Sequence, residues 1–158
     1  MKIRNAVVED LPHVLELILE LAVFEKQPDA VQVTVADLER DGFGLHPLFR
    51  ILVAEVDGKI RGMAFFYNRY STWKGKTIHL EDLIVSESYR GSGIGMQLYQ
   101  AVMEEAVKQN VRRVEWNVLD WNTPAISFYE KTGAVVFNDW LVAQMDEKGL
   151  HVFLDRKC

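Results

Sequence analysis

A chain of 158 residues, 49% hydrophobic and 26% charged, has the size and mixture of one globular domain with a sizeable core. No apolar run approaches the ~20 residues of a membrane span, and Met1-Lys2-Ile3-Arg4-Asn5 lacks the apolar core of a signal peptide. The net charge of −5 argues against nucleic acid, whose binders cluster Lys and Arg on one surface.

The single cysteine, Cys158, excludes an internal disulfide framework and fits a reducing compartment, so a cytoplasmic setting is expected. Acidity is concentrated early. Residues 1–50 hold nine acids and five bases, an excess compatible with a cationic substrate, with an ordinary solvated acidic face the plain reading for most of these residues.

In chain order, Lys2 to Val7 reads as a first strand. Asp10 offers a helix cap, Pro12 sits in the first helical turn, and Leu11, Val14, Leu15, Ile18, Leu21 and Ala22 repeat at three and four. That helix ends near Glu25. A second starts at the cap Thr34 and stops at Gly42-Phe43-Gly44.

Phe49 to Val56 and Ile60 to Tyr70 flank Asp57-Gly58, a strong hairpin turn signal. Thr77 to Val85 is the next strand. Ile94, Leu98, Ala101, Val102 and Ala106 form the buried stripe of a helix ending near Asn110. Arg113 to Leu119 reads as a strand, and Thr123-Pro124 opens a helix closed by Gly133. Val135 to Phe137, Leu141 to Met145 and His151 to Leu154 are the final strand candidates. The expected order is β-α-α-β-β-β-α-β-α-β-β, a mixed α/β fold in a single domain, 1–158.

The strongest chemical signal lies between Leu80 and Leu98, where an apolar strand runs into Arg90-Gly91-Ser92-Gly93-Ile94-Gly95 and then a helix. Glycines let the backbone turn sharply and approach a ligand, and the helix start adds unpaired N–H donors and a positive dipole end. The pattern implies an anion site. It is not a nucleoside-triphosphate loop, because Met96-Gln97 stands where Lys-Ser/Thr would be, and it is one residue short of a dinucleotide fingerprint. A ligand-free glycine turn is the plain alternative.

Arg90-x-x-Gly93-x-Gly95 after an apolar strand resembles the Q/R-x-x-G-x-G/A signature of the GNAT superfamily of N-acetyltransferases. The likeness extends through Phe24-Glu25-Lys26, Asp41-Gly42-Phe43-Gly44, Ser71-Thr72-Trp73-Lys74-Gly75, Leu80-Glu81-Asp82 and Leu119-Asp120-Trp121-Asn122 to Tyr129. These segments resemble the diamine (spermidine/spermine) subfamily, and its thialysine-acetylating branch most of all.

The resemblance implies a central, mostly antiparallel mixed sheet with a splayed strand pair, flanked by helices. It implies acetyl-CoA as co-substrate and a homodimer. Residues Arg90, Gly91, Ser92, Gly93, Ile94 and Gly95 would wrap the coenzyme's pyrophosphate, and Leu83, Ile84 and Val85 would offer backbone groups to its pantetheine arm. Asn122 would contact that arm as well, and Lys131 a phosphate.

Direct acyl transfer from a thioester to an amine needs an amine freed of its proton, a stabilised oxyanion and a protonated leaving thiolate. The resemblance makes Tyr129 the general acid; a phenol with pKa near ~10 still carries its proton at neutral pH. A core tyrosine beside Phe128 is the alternative.

Glu81 and Asp82 match the pair that handles the substrate amine, with Glu81 as base through water and Asp82 binding substrate. As strand neighbours they point to opposite faces unless a bulge re-aims one of them. Glu25 and Trp73 match residues lining the amine groove, as a carboxylate for a distant ammonium and an indole beside a methylene chain. The four histidines are scattered without ligand spacing, so no metal is expected.

Relatives acting on polyamines carry hydroxylated aromatics beside the matching glutamate, where this chain has Phe24 and Lys26; that favours a smaller, lysine-like amine. The expected function is transfer of an acetyl group from acetyl-CoA to the primary amine of a small molecule such as thialysine, a diamine or a polyamine. A non-catalytic acyl-CoA-binding regulator and a protein or peptide N-acetyltransferase are the competing readings.

Overall fold

The structure, a computed structural model, describes residues 1–155. Cys158 lies outside the described residues. Two compact units are present, Met1–Asn117 and the residues from Val118 on.

The first unit contains β1 (Lys2–Asn5), α1 (Leu11–Phe24), α2 (Val35–Phe43), β2 (Arg50–Val56), β3 (Lys59–Ser71), β4 (Gly75–Val85), α3 (Ile94–Lys108) and β5 (Val114–Glu115). The five strands form one sheet in the order β1-β2-β3-β4-β5. The first three pairings are antiparallel and the last is parallel. Its β2–β3 turn is the expected Asp57-Gly58, with φ of 51° and 73°, positive values that match the twist of the flanking strands.

Strand alternation divides the core. Val53, Met63 and Ile84 pack with Leu11, Val14, Leu17 and Leu38 of α1 and α2. On the opposite face Gly62 lets α3 approach: a Cβ there would meet the Ile84 carbonyl at 2.8 Å and Leu98 Cδ1 at 3.2 Å. Thr34 caps α2 as expected, its hydroxyl accepting the Asp37 N–H at 3.2 Å while Asp37 accepts the Thr34 N–H at 3.0 Å.

Asp10 has a different part from the cap expected of it. Its carboxylate accepts two bonds from Arg4, at 2.6 and 2.9 Å, and the Val7 N–H at 2.9 Å. A buried carboxylate satisfies itself with the strongest donor in reach, and a bidentate guanidinium outcompetes a helix N–H. Arg4 also donates to Glu55 on β2, so one side chain ties the sheet edge to the start of α1.

The second unit holds α4 (Thr123–Lys131) and α5 (Glu147–Asp155). Four strand expectations are corrected in the last third of the chain. The strand read from Arg113 to Leu119 pairs only at Val114 and Glu115. Val135 to Phe137 and Leu141 to Met145 carry no strand, and His151 to Leu154 lies within α5. The Leu150-to-Leu154 run looks like a strand, but the Asp146 side chain accepts the Gly149 N–H at 2.7 Å, opening a helix with Leu150, Phe153 and Leu154 at helical spacing. Among the described residues no helix is long and apolar enough to cross a membrane.

Arg4→Met should leave the Asp10 carboxylate buried without its partner and cost about 2 kcal/mol of stability. The Arg4 bonds hold Asp10 below the usual carboxylate range, so the pair stabilises above the unfolded value and is lost as pH falls through the folded one. Denaturant melts should therefore show the gap between variant and wild type shrinking on acidification.

Candidate active site

The acidic end of the site is built by an irregularity in β4. Going from the hairpin tip, His79 pairs with Tyr67 and Leu80 with Phe66, but the next residue of β3, Phe65, pairs with Asp82. Glu81 is the extra residue of a β-bulge. Phe65 packs against the core beneath α1, and so does Ile84, two residues beyond Asp82. Tyr67, His79 and Asp82 therefore share the α1 face, and Glu81 joins them, accepting the Tyr67 hydroxyl at 3.1 Å through Oε2. Without the bulge the two neighbouring carboxylates would point to opposite faces.

Glu25 lies just past the last residue of α1, where partial desolvation raises its carboxyl. Asp82 is the most perturbed of the three. Burial, then the charges of Glu81 and Glu25, push it up to about 7. An alkylammonium entering among these groups would meet three carboxyl groups, of which Asp82 exchanges its proton near neutrality. Among the described residues no group of His, Cys, Asp and Glu side chains is placed to hold a metal ion.

The strand leads straight into the glycine loop. Leu83, Ile84 and Val85 pair on one side with Ala64, Met63 and Gly62 of β3. On the other side β4 meets β5 only at Ile78 and His79, so the edge from Leu80 to Val85 is left without a strand partner. This is the splayed pair expected from the sequence.

Gly91 and Gly93 have φ of 75° and 85°, and nothing lies within 4 Å of where a Cβ would stand, so backbone conformation and not crowding demands glycine there. Gly93 caps α3, whose first N–H groups (Ile94, Gly95) open toward the loop. Gly95 has ordinary φ and room for a Cβ, 3.7 Å from Val85 Cγ2. Ser92 turns inward, its hydroxyl donating to the Tyr89 carbonyl at 2.5 Å. A turn with exposed glycines at a helix N-terminus fits a diphosphate.

Arg90 also turns inward. Its Nε donates to the Val85 carbonyl at 3.1 Å, Nη2 lies 3.5 Å from Glu20 Oε1 on α1, and the guanidinium sits over the Phe24 ring. Glu20 accepts the Glu87 N–H at 2.8 Å through the same oxygen. Arg90 thus braces the loop against α1.

Trp73 is not gathered with the carboxylates. It sits in the β3–β4 turn, 82% exposed, with the strand from Gly75 onward separating it from Glu81 along the chain.

The remaining predicted residues belong to the second unit. Asn122 caps α4, its Oδ1 accepting the Ala125 N–H at 3.3 Å. Lys131 is exposed in the last turn of α4, where a cation complements the helix dipole. Tyr129 is 8% exposed, with its ring edge-on to Phe128.

Sequence reasoning passed over Tyr67 and His79. Both stand six residues from Trp73 at the hairpin tip, so counting outward from the turn would have paired them.

A glycine loop at a helix start, fed by a strand that parts from its neighbour beside a carboxylate cluster, makes this a mixed α/β protein with an anion-binding turn next to an acidic site. The chain belongs to the acetyltransferase (GNAT) family, whose model matches residues 12–134.

It is 40% identical to bovine (Bos taurus) thialysine N-epsilon-acetyltransferase over 84% of this chain and 82% of that one. It is 38% identical to human (Homo sapiens) spermidine/spermine N(1)-acetyltransferase-like protein 1 over 96% of this chain, which spans 22% of that longer protein. Among solved structures, the Vibrio cholerae integron cassette protein VCH_CASS6 superposes with a TM-score of 0.79 at 23% identity, over 98% of this chain and 97% of that one.

The Asp82 environment has a consequence for stability. The folded chain keeps the Asp82 proton up to about pH 7, while the unfolded chain releases it near the ordinary carboxylate value. Folded stability from this group therefore falls as pH rises between those values. Asp82→Asn should raise the melting temperature at ~pH 8 and change it little at ~pH 4.

Proposed function

We propose that the chain transfers an acetyl group from acetyl-CoA to the primary amine of a small, lysine-like molecule by direct attack. The observation that carries this reading is Asp82, a half-buried carboxyl placed by the bulge among Glu81 and Glu25 and pushed up to about 7. A base that titrates near the working pH can take a proton from the acceptor and release it again. Glu25 and Glu81 hold the ammonium by charge, Asp82 accepts its proton, and the freed nitrogen attacks the thioester carbonyl carbon.

The N–H groups of Gly91 to Gly95 would hold the coenzyme's diphosphate, and backbone groups of Leu83 to Val85 its arm. Tyr129 then supplies a proton to the departing sulfur, leaving an acetylated amine and the free thiol. Relative to the sequence reading, Asp82 takes the base role and Glu81 the cation-holding role.

The relatives' names support an amine acceptor, and Phe24 and Lys26 on either side of Glu25 favour a short one: a lysine beside Glu25 offsets its pull on a second, distant cation. We also read the chain as homodimeric. Phe137, Trp140, Leu141, Val142 and Phe153 are exposed apolar side chains within one short stretch, of the kind a second copy covers. Light scattering on a size-exclusion column tests this.

Thiol release from acetyl-CoA, measured across thialysine, lysine, putrescine, spermidine and a peptide, should be highest for thialysine or lysine. Release with the peptide alone would overturn the small-amine reading, and coenzyme binding with no release would make the chain a binding protein.

For the favoured amine, kcat/KM should fall on an acid limb centred near pH 7. Glu81→Gln should move that limb to lower pH, because removing a neighbouring negative charge lets Asp82 ionise more easily. Tyr129→Phe should lower kcat by about a hundredfold and leave the Kd for acetyl-CoA within about threefold.

A further inference from the structure

Tyr67 and His79 face each other across β3 and β4, with ring centroids 5.3 Å apart and planes tilted by 35°. Both direct a polar atom at the same carboxylate oxygen. The Tyr67 hydroxyl donates to Glu81 Oε2 at 3.1 Å, and His79 Nε2 lies 3.5 Å from that oxygen.

His79 is only 7% exposed, and its other ring nitrogen, Nδ1, is buried with no hydrogen-bond partner. An ionised carboxylate can only accept. The proton of the imidazole therefore belongs on Nε2, facing Glu81, with a bare lone pair at Nδ1. The opposite tautomer would set lone pair against lone pair and strand a buried N–H, which is the costlier orphan.

Glu81 needs such support more than its neighbours do. As the bulge residue it has no cross-strand partner, and its side chain is 49% exposed. A free glutamate there would sample many rotamers, an entropy to be lost whenever it engages a ligand.

We propose that Tyr67 and His79 are positioning residues that grip Glu81 by Oε2 and leave Oε1 directed to the ammonium of the acceptor. This rests on the amine-acetyltransferase reading above and adds to it the device that makes Glu81 a preorganised cation site. Neither residue gives up its proton in the reaction. Both act through Glu81, by geometry.

The test is a double-mutant cycle read with acetyl-CoA and thialysine. Tyr67→Phe keeps the ring and removes only the hydroxyl; it should raise the KM for thialysine and lower kcat/KM about tenfold, with the KM for acetyl-CoA within about twofold. In a Glu81→Gln background the same change should add less than about twofold, since the residue it works through is already gone.

His79→Phe should behave like Tyr67→Phe, and His79→Gln, whose amide can donate from near the Nε2 position, should recover most of the loss. Nitrogen-15 spectra of the wild-type protein should show His79 carrying its proton on Nε2, a readout that needs neither a variant nor turnover.

Multiplicative effects of Tyr67→Phe and Glu81→Gln, or a proton on Nδ1, overturn the brace. Failure of the function itself looks different. There, Glu81→Gln alone leaves kcat/KM for every amine unchanged.

Discussion

One extra residue in β4 governs the chemistry of this protein. A regular antiparallel ladder sends adjacent side chains to opposite faces. By inserting Glu81 opposite nothing, the chain turns both Glu81 and Asp82 toward the face covered by α1, where Glu25 already lies at the helix end. Three carboxylates in one place repel one another and lose hydration. That strain surfaces as the raised proton affinity of Asp82. A site so assembled is destabilising by itself, and the packed sheet around it, with Met63, Phe66, Leu80 and Ile84 buried, supplies the surplus that tolerates it.

The same irregularity accounts for the cleft beside it. A bulge bends its strand and increases the local twist. β4 and β5 keep parallel partners at Ile78 and His79 and separate from Leu80 onward, just before the bulge. The unpaired edge that results runs directly to the glycine loop, so the gathering of acid groups and the opening of β4 from β5 are two effects of one local defect.

Helix α1 joins the two halves of the first unit's site. Near its C-terminal end Glu20 receives the Glu87 N–H and approaches Arg90, and the Phe24 ring lies against the Arg90 guanidinium. One residue later Glu25 faces the carboxylate cluster. The arginine of the loop signature thus holds the loop to α1, while Gly91 and Gly93 shape its backbone by adopting positive φ. A rigid element touching both the glycine loop and the carboxylate cluster fixes the separation of the two.

Much of this was legible beforehand because it is written in local pattern. The helices over residues 11–43 and 94–108, the Asp57-Gly58 hairpin and the strand-to-glycine-loop transition each depend on periodicity, caps and turn chemistry within a dozen residues, and each is found in place. The Arg90-x-x-Gly93-x-Gly95 pattern identified the family for the same reason. Register, burial and long-range pairing are not local. Asp10 read as a cap until the fold brought Arg4 to it, and His151 to Leu154 read as a strand until Asp146 opened a helix. Whether Glu81 and Asp82 face apart or together was open in the sequence, because no residue announces a bulge; only the pairing of β4 with β3 reveals that one residue is left over. The sequence alone determined which side chains were available for acyl transfer, and the tertiary structure decided which of them meet, because a one-residue shift in a ladder reverses every face that follows it.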